Sequence, residues 1–157
     1  MLTFILSRGV PTPKYSTNGI FEFDQARALK QAGCNVVFLA LDLRSVRRTR
    51  PWGFQSFEKD GVPVRVLSVP LGNIPKQIFY PLGQWAFGLL YRRAVREFGR
   101  PEGSTLLMAA LESCKGVLNA LEICQSSDRL IGIALSGGDY TKDLQTTITG
   151  TGVELMG

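Results

Sequence analysis

Asn35-Val36-Val37-Phe38-Leu39-Ala40-Leu41 is a run of six consecutive apolar residues after one polar one. A half-buried strand alternates polar with apolar positions, so a run apolar throughout predicts a strand covered on both faces, the usual state of parallel sheets packed between helices. The segments before it agree. Leu2-Thr3-Phe4-Ile5-Leu6 reads as a first strand, followed by a Gly- and Pro-containing loop from Arg8 to Gly19. A helix fits Phe21 to Gln31, with Phe21, Ala28 and Leu29 at i, i+7 and i+8 and Gly33 as its stop signal. Strand, helix and strand in this order make a βαβ unit, whose default is a parallel sheet.

Residues 42–60 form a basic, turn-containing stretch, and Val62 to Val69 alternates as a third strand closed by Pro70 and Gly72. Ile78 to Phe98 is helical in pattern, with Pro81 and Gly83 expected to break or delay its start. Its aromatic half (Phe79, Tyr80, Trp85, Phe87, Tyr91) precedes a basic half (Arg92, Arg93, Arg96). After the turn Gly99-Arg100-Pro101-Glu102-Gly103, Leu106 to Leu111 reads as a strand, Gly116 to Gln125 as a helix and Leu130 to Leu135 as a strand, a second βαβ unit. The tail from Asp139 to Gly157 is polar and rich in Gly and Thr. No apolar run approaches the roughly 18 residues of a membrane-spanning helix.

With 157 residues, 45% apolar and 20% charged, the chain has one soluble domain's worth of material. It contains no histidine, which excludes Ser-His and Cys-His catalytic pairs and His-ligated zinc built from this chain. The three cysteines do not suggest a disulfide scaffold, and Cys114 and Cys124 read as buried thiols. Without a signal-peptide pattern, the expected location is the cytoplasm. The net charge of +5 is unevenly spread. Residues 1–100 hold 15 Lys/Arg against 6 Asp/Glu, a balance of +9, whereas residues 101–157 hold 3 against 7, a balance of −4. Of 15 aromatic residues, only Tyr140 lies in the second part. Such asymmetry points to two segments with different histories or partners.

In the first segment, a loop between strand and helix places backbone N–H groups and a helix N-terminus where a phosphate can sit, at Asn18 and Gly19; a plain turn before a helix is the alternative. The G-x-G-x-x-G fingerprint is missing, so neither NAD nor a flavin is expected. Pro11-Thr12-Pro13-Lys14-Tyr15, Asn18-Gly19-Ile20-Phe21-Glu22-Phe23-Asp24-Gln25-Ala26, Asp42-Leu43-Arg44-Ser45 and Val69-Pro70-Leu71-Gly72 together resemble the N-terminal domain of family 4-type glycosyltransferases over residues 1–100. That resemblance implies a Rossmann-like fold shaping the acceptor side, with the loop at Asn18 and Gly19 approaching the phosphates of a sugar nucleotide. The family's donor-binding domain has no counterpart in this sequence. The cluster Arg44, Arg47, Arg48 and Arg50 suits nucleic acid, anionic lipid or a solvated loop, the last preferred, so no nucleic acid is expected. The helix from Ile78 suits core packing or peripheral membrane contact.

In the second segment the signal is a pair of carboxylates placed by topology. Glu112 follows the strand Leu106 to Leu111, and Asp139 follows the strand Leu130 to Leu135 by one short turn. If the strands are parallel, both acids emerge at the C-terminal edge of the sheet, where two hard oxygen ligands suit Mg²⁺. Leu107-Met108-Ala109-Ala110-Leu111-Glu112-Ser113, Gly116 to Ile123, and Ile133-Ala134-Leu135-Ser136-Gly137-Gly138-Asp139-Tyr140-Thr141-Lys142-Asp143-Leu144 resemble the citrate lyase beta subunit and related aldolases. The resemblance implies cleavage of a C–C bond in a 3-hydroxy-acyl thioester, with Glu112 and Asp139 as ligands of Mg²⁺. Only about two of that family's eight barrel strands are present, and two strands cannot close a barrel.

These patterns predict an α/β protein, Rossmann-like, with a mostly parallel sheet of about five strands and flanking helices and no closed TIM barrel. Residues 1–100 are read as the glycosyltransferase-like segment and 101–157 as the lyase-like βαβ segment, able to complete the same sheet. The functional expectation is a chimeric chain, incomplete for either catalysis. Its alternatives are a lyase fragment binding Mg²⁺ and an acyl thioester, or a glycosyltransferase module working with a separate donor domain.

Overall fold

The computed structural model describes residues 1–43, 51–71, 75–101 and 103–155. The cluster Arg44, Arg47, Arg48 and Arg50, and Gly72, lie outside the described residues. The chain divides into two compact units, Met1–Pro101 and Glu102–Gly157.

The first unit is a four-stranded sheet with one helix on each face. Its strands β1 (Leu2–Ser7), β2 (Asn35–Leu43), β3 (Gly53–Lys59) and β4 (Val62–Val69) stand in the order β1-β2-β4-β3. β1, β2 and β4 are mutually parallel, and β3 pairs antiparallel with β4. As the apolar run predicts, Val36 through Ala40 are all buried. The alternation of the strand divides them between two cores. Val36, Phe38 and Ala40 pack with Phe23 and Ala26 of α1 (Ile20–Gln31), and the Phe23 and Phe38 rings meet edge to face at 5.3 Å. Val37 and Leu39 pack on the other side with Ala86, Leu90 and Ala94 of α2 (Lys76–Glu97).

The helix α2 corrects one expectation. Pro81 and Gly83 do not break it; the helix starts at Lys76 and runs through both. Pro81 is the sixth residue of the helix, so its ring forgoes the one intrahelical bond that an N–H there would make to the Gln77 carbonyl, and the helix continues past it. Gly83 is a point of close approach instead, since a Cβ there would stand 3.1 Å from Leu43 Cδ1. The helix also disposes its aromatics unequally: Trp85 is 60% exposed, while Phe87 is half-buried and stacks on Tyr91 at 6.3 Å.

β3 falls within the stretch that the sequence pattern marks as a basic connection. It is a strand because Asp60-Gly61 makes a two-residue hairpin loop, with φ of 50° and 75°. Both positive values match the turn whose twist suits a hairpin, and Asp-Gly is its preferred dipeptide.

The second unit contains β5 (Leu107–Leu111), α3 (Cys114–Leu118), α4 (Ala120–Gln125), β6 (Leu130–Leu135), α5 (Gly137–Asp143) and a short 3-10 turn (Val153–Leu155). β5 and β6 pair in parallel, but as a two-stranded sheet of their own, not as further strands of the first sheet. The single helix expected over Gly116 to Gln125 is two. The break falls at Asn119, whose backbone leaves helical angles (φ −100°, ψ 15°) and whose N–H and Nδ2 both donate to the Lys115 carbonyl, at 3.1 and 2.9 Å. The expectation of buried thiols fails at Cys124, which is exposed; Cys114 is half-buried.

Candidate functional site

The second unit sets both predicted carboxylates beyond one edge of its sheet. Leu111 and Leu135 are partners in the parallel register, so the two strands end level. The Ser136 N–H donates to the Leu111 carbonyl at 2.9 Å and holds the two exits together. Glu112 is the next residue after β5, and Asp139 stands in the first turn of α5. Both side chains are exposed. The topology therefore places the two acids at one C-terminal edge, where ligands of open α/β sheets bind.

The backbone around that edge is fixed by polar contacts. Ser113 caps α3, its Oγ accepting the Gly116 N–H at 3.1 Å. The buried Thr141 hydroxyl lies 2.9 Å from the Gly137 carbonyl and 3.0 Å from that of Gly138, which anchors the first turn of α5. Asp143, to which no sequence pattern assigns a role, accepts the Cys114 N–H at Oδ2 over 2.7 Å. That bond ties the end of α5 to the start of α3 and holds the Asp143 carboxyl below the usual carboxylate range. Burial, with the Asp143 carboxylate beside it, pushes the Cys114 thiol up. The only sequence signal for Asp143 is its place one helical turn after Asp139.

Among the described residues no three Asp, Glu or Cys side chains cluster as a metal cage. Two carboxylates still suit Mg²⁺, which is commonly held by one or two and completes its octahedron with water and substrate oxygens. The donor set is all hard oxygen, which also disfavours zinc or copper.

Residues 88–156 match a family model described as HpcH/HpaI aldolase/citrate lyase. The matched span takes in the end of α2 and almost all of the second unit. The chain is also similar to the citrate lyase subunit beta of Leuconostoc mesenteroides subsp. cremoris, 57% identical over 63 residues, which are 40% of this chain and 21% of the relative. The corresponding subunit of Escherichia coli (strain K12) is 47% identical over 64 residues, 41% of this chain and 21% of the relative. That of Haemophilus influenzae is 47% identical over 58 residues, 37% and 20% respectively. The chain thus spans about a fifth of the length of the curated relatives it matches. No solved structure matches it. These matches support the citrate lyase resemblance of the second segment and lend none to the glycosyltransferase resemblance of the first, so the chimeric reading gives way to the lyase-fragment alternative.

The other predicted site lies in the first unit. Asn18 and Gly19 stand at the N-terminus of α1, with Gly19 as the N-cap residue in the left-handed region at φ 69°. A Cβ on Gly19 would lie 2.4 Å from the Gly9 carbonyl oxygen, so only glycine fits. The Asn18 side chain folds over Gly9, filling the space above the loop, and Glu22 adds an acid to the first helical turn. Lys59, 48 residues away in sequence, reaches in to donate to the Pro11 carbonyl at 2.6 Å. Among the described residues, no helix is long and apolar enough to cross a membrane.

Proposed function

We propose that the second unit is the cation-holding corner of a carbon–carbon lyase of the citrate lyase type, with Glu112 and Asp139 as the ligands of Mg²⁺ and a 3-hydroxy-acyl thioester as substrate. The observation that carries the reading is the level, parallel ending of β5 and β6, which sends both acids to one edge. Mg²⁺ bound there supplies Lewis-acid polarisation of the substrate's oxygens and stabilises the negative charge that develops as the C–C bond breaks. Glu112 and Asp139 offer hard carboxylate oxygens, the ligand type Mg²⁺ takes. Their backbones are positioned by the Ser136, Ser113 and Asp143 hydrogen bonds. With no histidine in the chain, any proton acceptor among its side chains near neutral pH has to be found among other groups, carboxylates first. Two strands enclose little of a substrate, so binding of the cation and the thioester is the activity expected of this chain.

The test is calorimetric titration of a 3-hydroxy-acyl thioester into the protein with and without Mg²⁺. Binding that requires Mg²⁺ and is lost in Glu112→Ala supports the reading; binding indifferent to both removes it.

A further inference from the structure

A second site lies in the first unit. Between the edge strand β3 and the C-terminal half of α2 is a cleft of about 510 Å³ lined by Phe54, Leu89, Arg92, Arg93 and Arg96. The register sets it up: Phe54 pairs with Leu67, whose side chain belongs to the core beneath α2, so Phe54 faces the helix. On α2, Arg92 and Arg96 are one turn apart and share a face, with Arg93 beside them.

The charge in this cleft is unbalanced. Among the described residues none of the three arginines comes within ion-pair distance of a carboxylate, although Arg93 acts on Glu97 through space. The Arg92 Nε donates to the Gly88 carbonyl of its own helix at 3.2 Å, and the Arg93 guanidinium lies over the Phe54 ring at 4.7 Å. The neighbouring carboxylate, Glu97, is engaged by Arg65, whose Nε contacts its two oxygens at 2.9 and 3.0 Å. Arg92 is thus oriented by a contact that leaves its charge uncompensated, whereas Arg93 lies within electrostatic reach of the Glu97 carboxylate without bonding to it, and that carboxylate is already engaged by Arg65. Guanidinium forks match phosphate oxygens in pairs. The cleft volume is within the usual range of small-molecule sites, about 300–1,000 Å³. It exceeds what a single phosphate fills, and Phe54 and Leu89 supply an apolar wall.

We propose that this cleft binds a ligand carrying two clustered phosphates joined to a planar or apolar group, the chemistry of a nucleoside diphosphate. The ligand relieves the repulsion among the arginines and rests its apolar part on Phe54 and Leu89.

The test is isothermal titration of the full chain with ADP, inorganic pyrophosphate and orthophosphate, and of the same chain with phosphatidylcholine vesicles containing phosphatidylserine. ADP is expected to bind about tenfold more tightly than orthophosphate. R92Q/R96Q is expected to weaken ADP about tenfold, and R92K/R96K to weaken it less, because charge is kept and the fork lost. R27Q/K30Q, which removes the same charge from α1, is expected to leave ADP binding within about twofold. Phe54→Leu is expected to weaken ADP more than pyrophosphate. The proposal is overturned if neither ADP nor pyrophosphate binds, if R27Q/K30Q weakens ADP as much as R92Q/R96Q, or if only the anionic vesicles bind.

Discussion

The Asp143 carboxylate acts through the backbone it holds, and its bond to Cys114 makes two measurable claims. The Cys114 N–H stabilises the ionised form, so the Asp143 carboxyl titrates below the ordinary aspartate value of about 3.9. A depressed carboxylate stabilises the fold above that ordinary value and loses its contribution as pH falls through the lower, folded one. An NMR pH titration of the side-chain carbon should place the midpoint below the ordinary value, and Asp143→Ala should speed alkylation of Cys114 at mildly alkaline pH, because its thiol is pushed up partly by that carboxylate. A midpoint at the ordinary value, or alkylation unchanged in the variant, would show the contact absent in solution. Glu97 has the same sign: its hydrogen bonds from Arg65 hold its pKa down, against a smaller opposing effect of burial. Arg65→Gln should flatten the loss of thermal stability on acidification through the acid limb below about pH 4.3. The place of Glu112 and Asp139 at one sheet edge is legible in the sequence because the end of a strand fixes the position of the residues just after it. Asp143 and Lys59 are not, because their partners lie 29 and 48 residues away and no local pattern announces such bonds.

Among the elements, burial explains what was readable. β2 is apolar from Val36 to Leu41 because α1 covers one face and α2 the other, so its sequence carries the sheet type. Phe38→Ala should cost about 3–5 kcal/mol in urea unfolding, since the ring is fully buried against Phe23. β3 is hard to see in the sequence because an edge strand with Gln55, Ser56 and Glu58 lacks a strong apolar alternation. The informative signal is the turn: Asp60-Gly61 between two strand-length runs. Gly61→Ala meets no neighbouring atom, so its expected cost of about 1 kcal/mol reports the left-handed backbone alone. Pro81 and Gly83 mislead because local propensity is outweighed by packing of Ala86, Leu90 and Ala94 on the sheet. Asn119 shows the converse, a local departure of the backbone from helical angles that splits a helix whose apolar periodicity looks continuous.

In the molecule as a whole, the change in charge and aromatic content near residue 100 coincides with the boundary between the two compact units. The units differ in how much core they own. The first buries two clusters across a four-stranded sheet, whereas in the second Ile131 and Met108 are 67% and 70% exposed and, among that unit's described residues, Leu111 is the one buried apolar side chain. A two-stranded sheet rarely holds its structure unaided. Residues 1–101 expressed alone should therefore melt cooperatively, while 102–157 alone should bind a hydrophobic dye and lack a cooperative transition; the reverse pattern would refute the assignment of the cores. The number of sheets is not legible in the sequence, because both βαβ units satisfy the same local rules and only long-range pairing separates them.

The parallel ending of β5 and β6 is what would make Glu112 and Asp139 one cation site, and isothermal titration of Mg²⁺ into the full chain and into Glu112→Ala and Asp139→Ala decides the matter. The expected result is a single site in the unaltered chain that each substitution weakens about tenfold or more, with the circular dichroism spectrum unchanged. No Mg²⁺ binding by the unaltered chain, or binding by both variants equal to that of the unaltered chain, would contradict it.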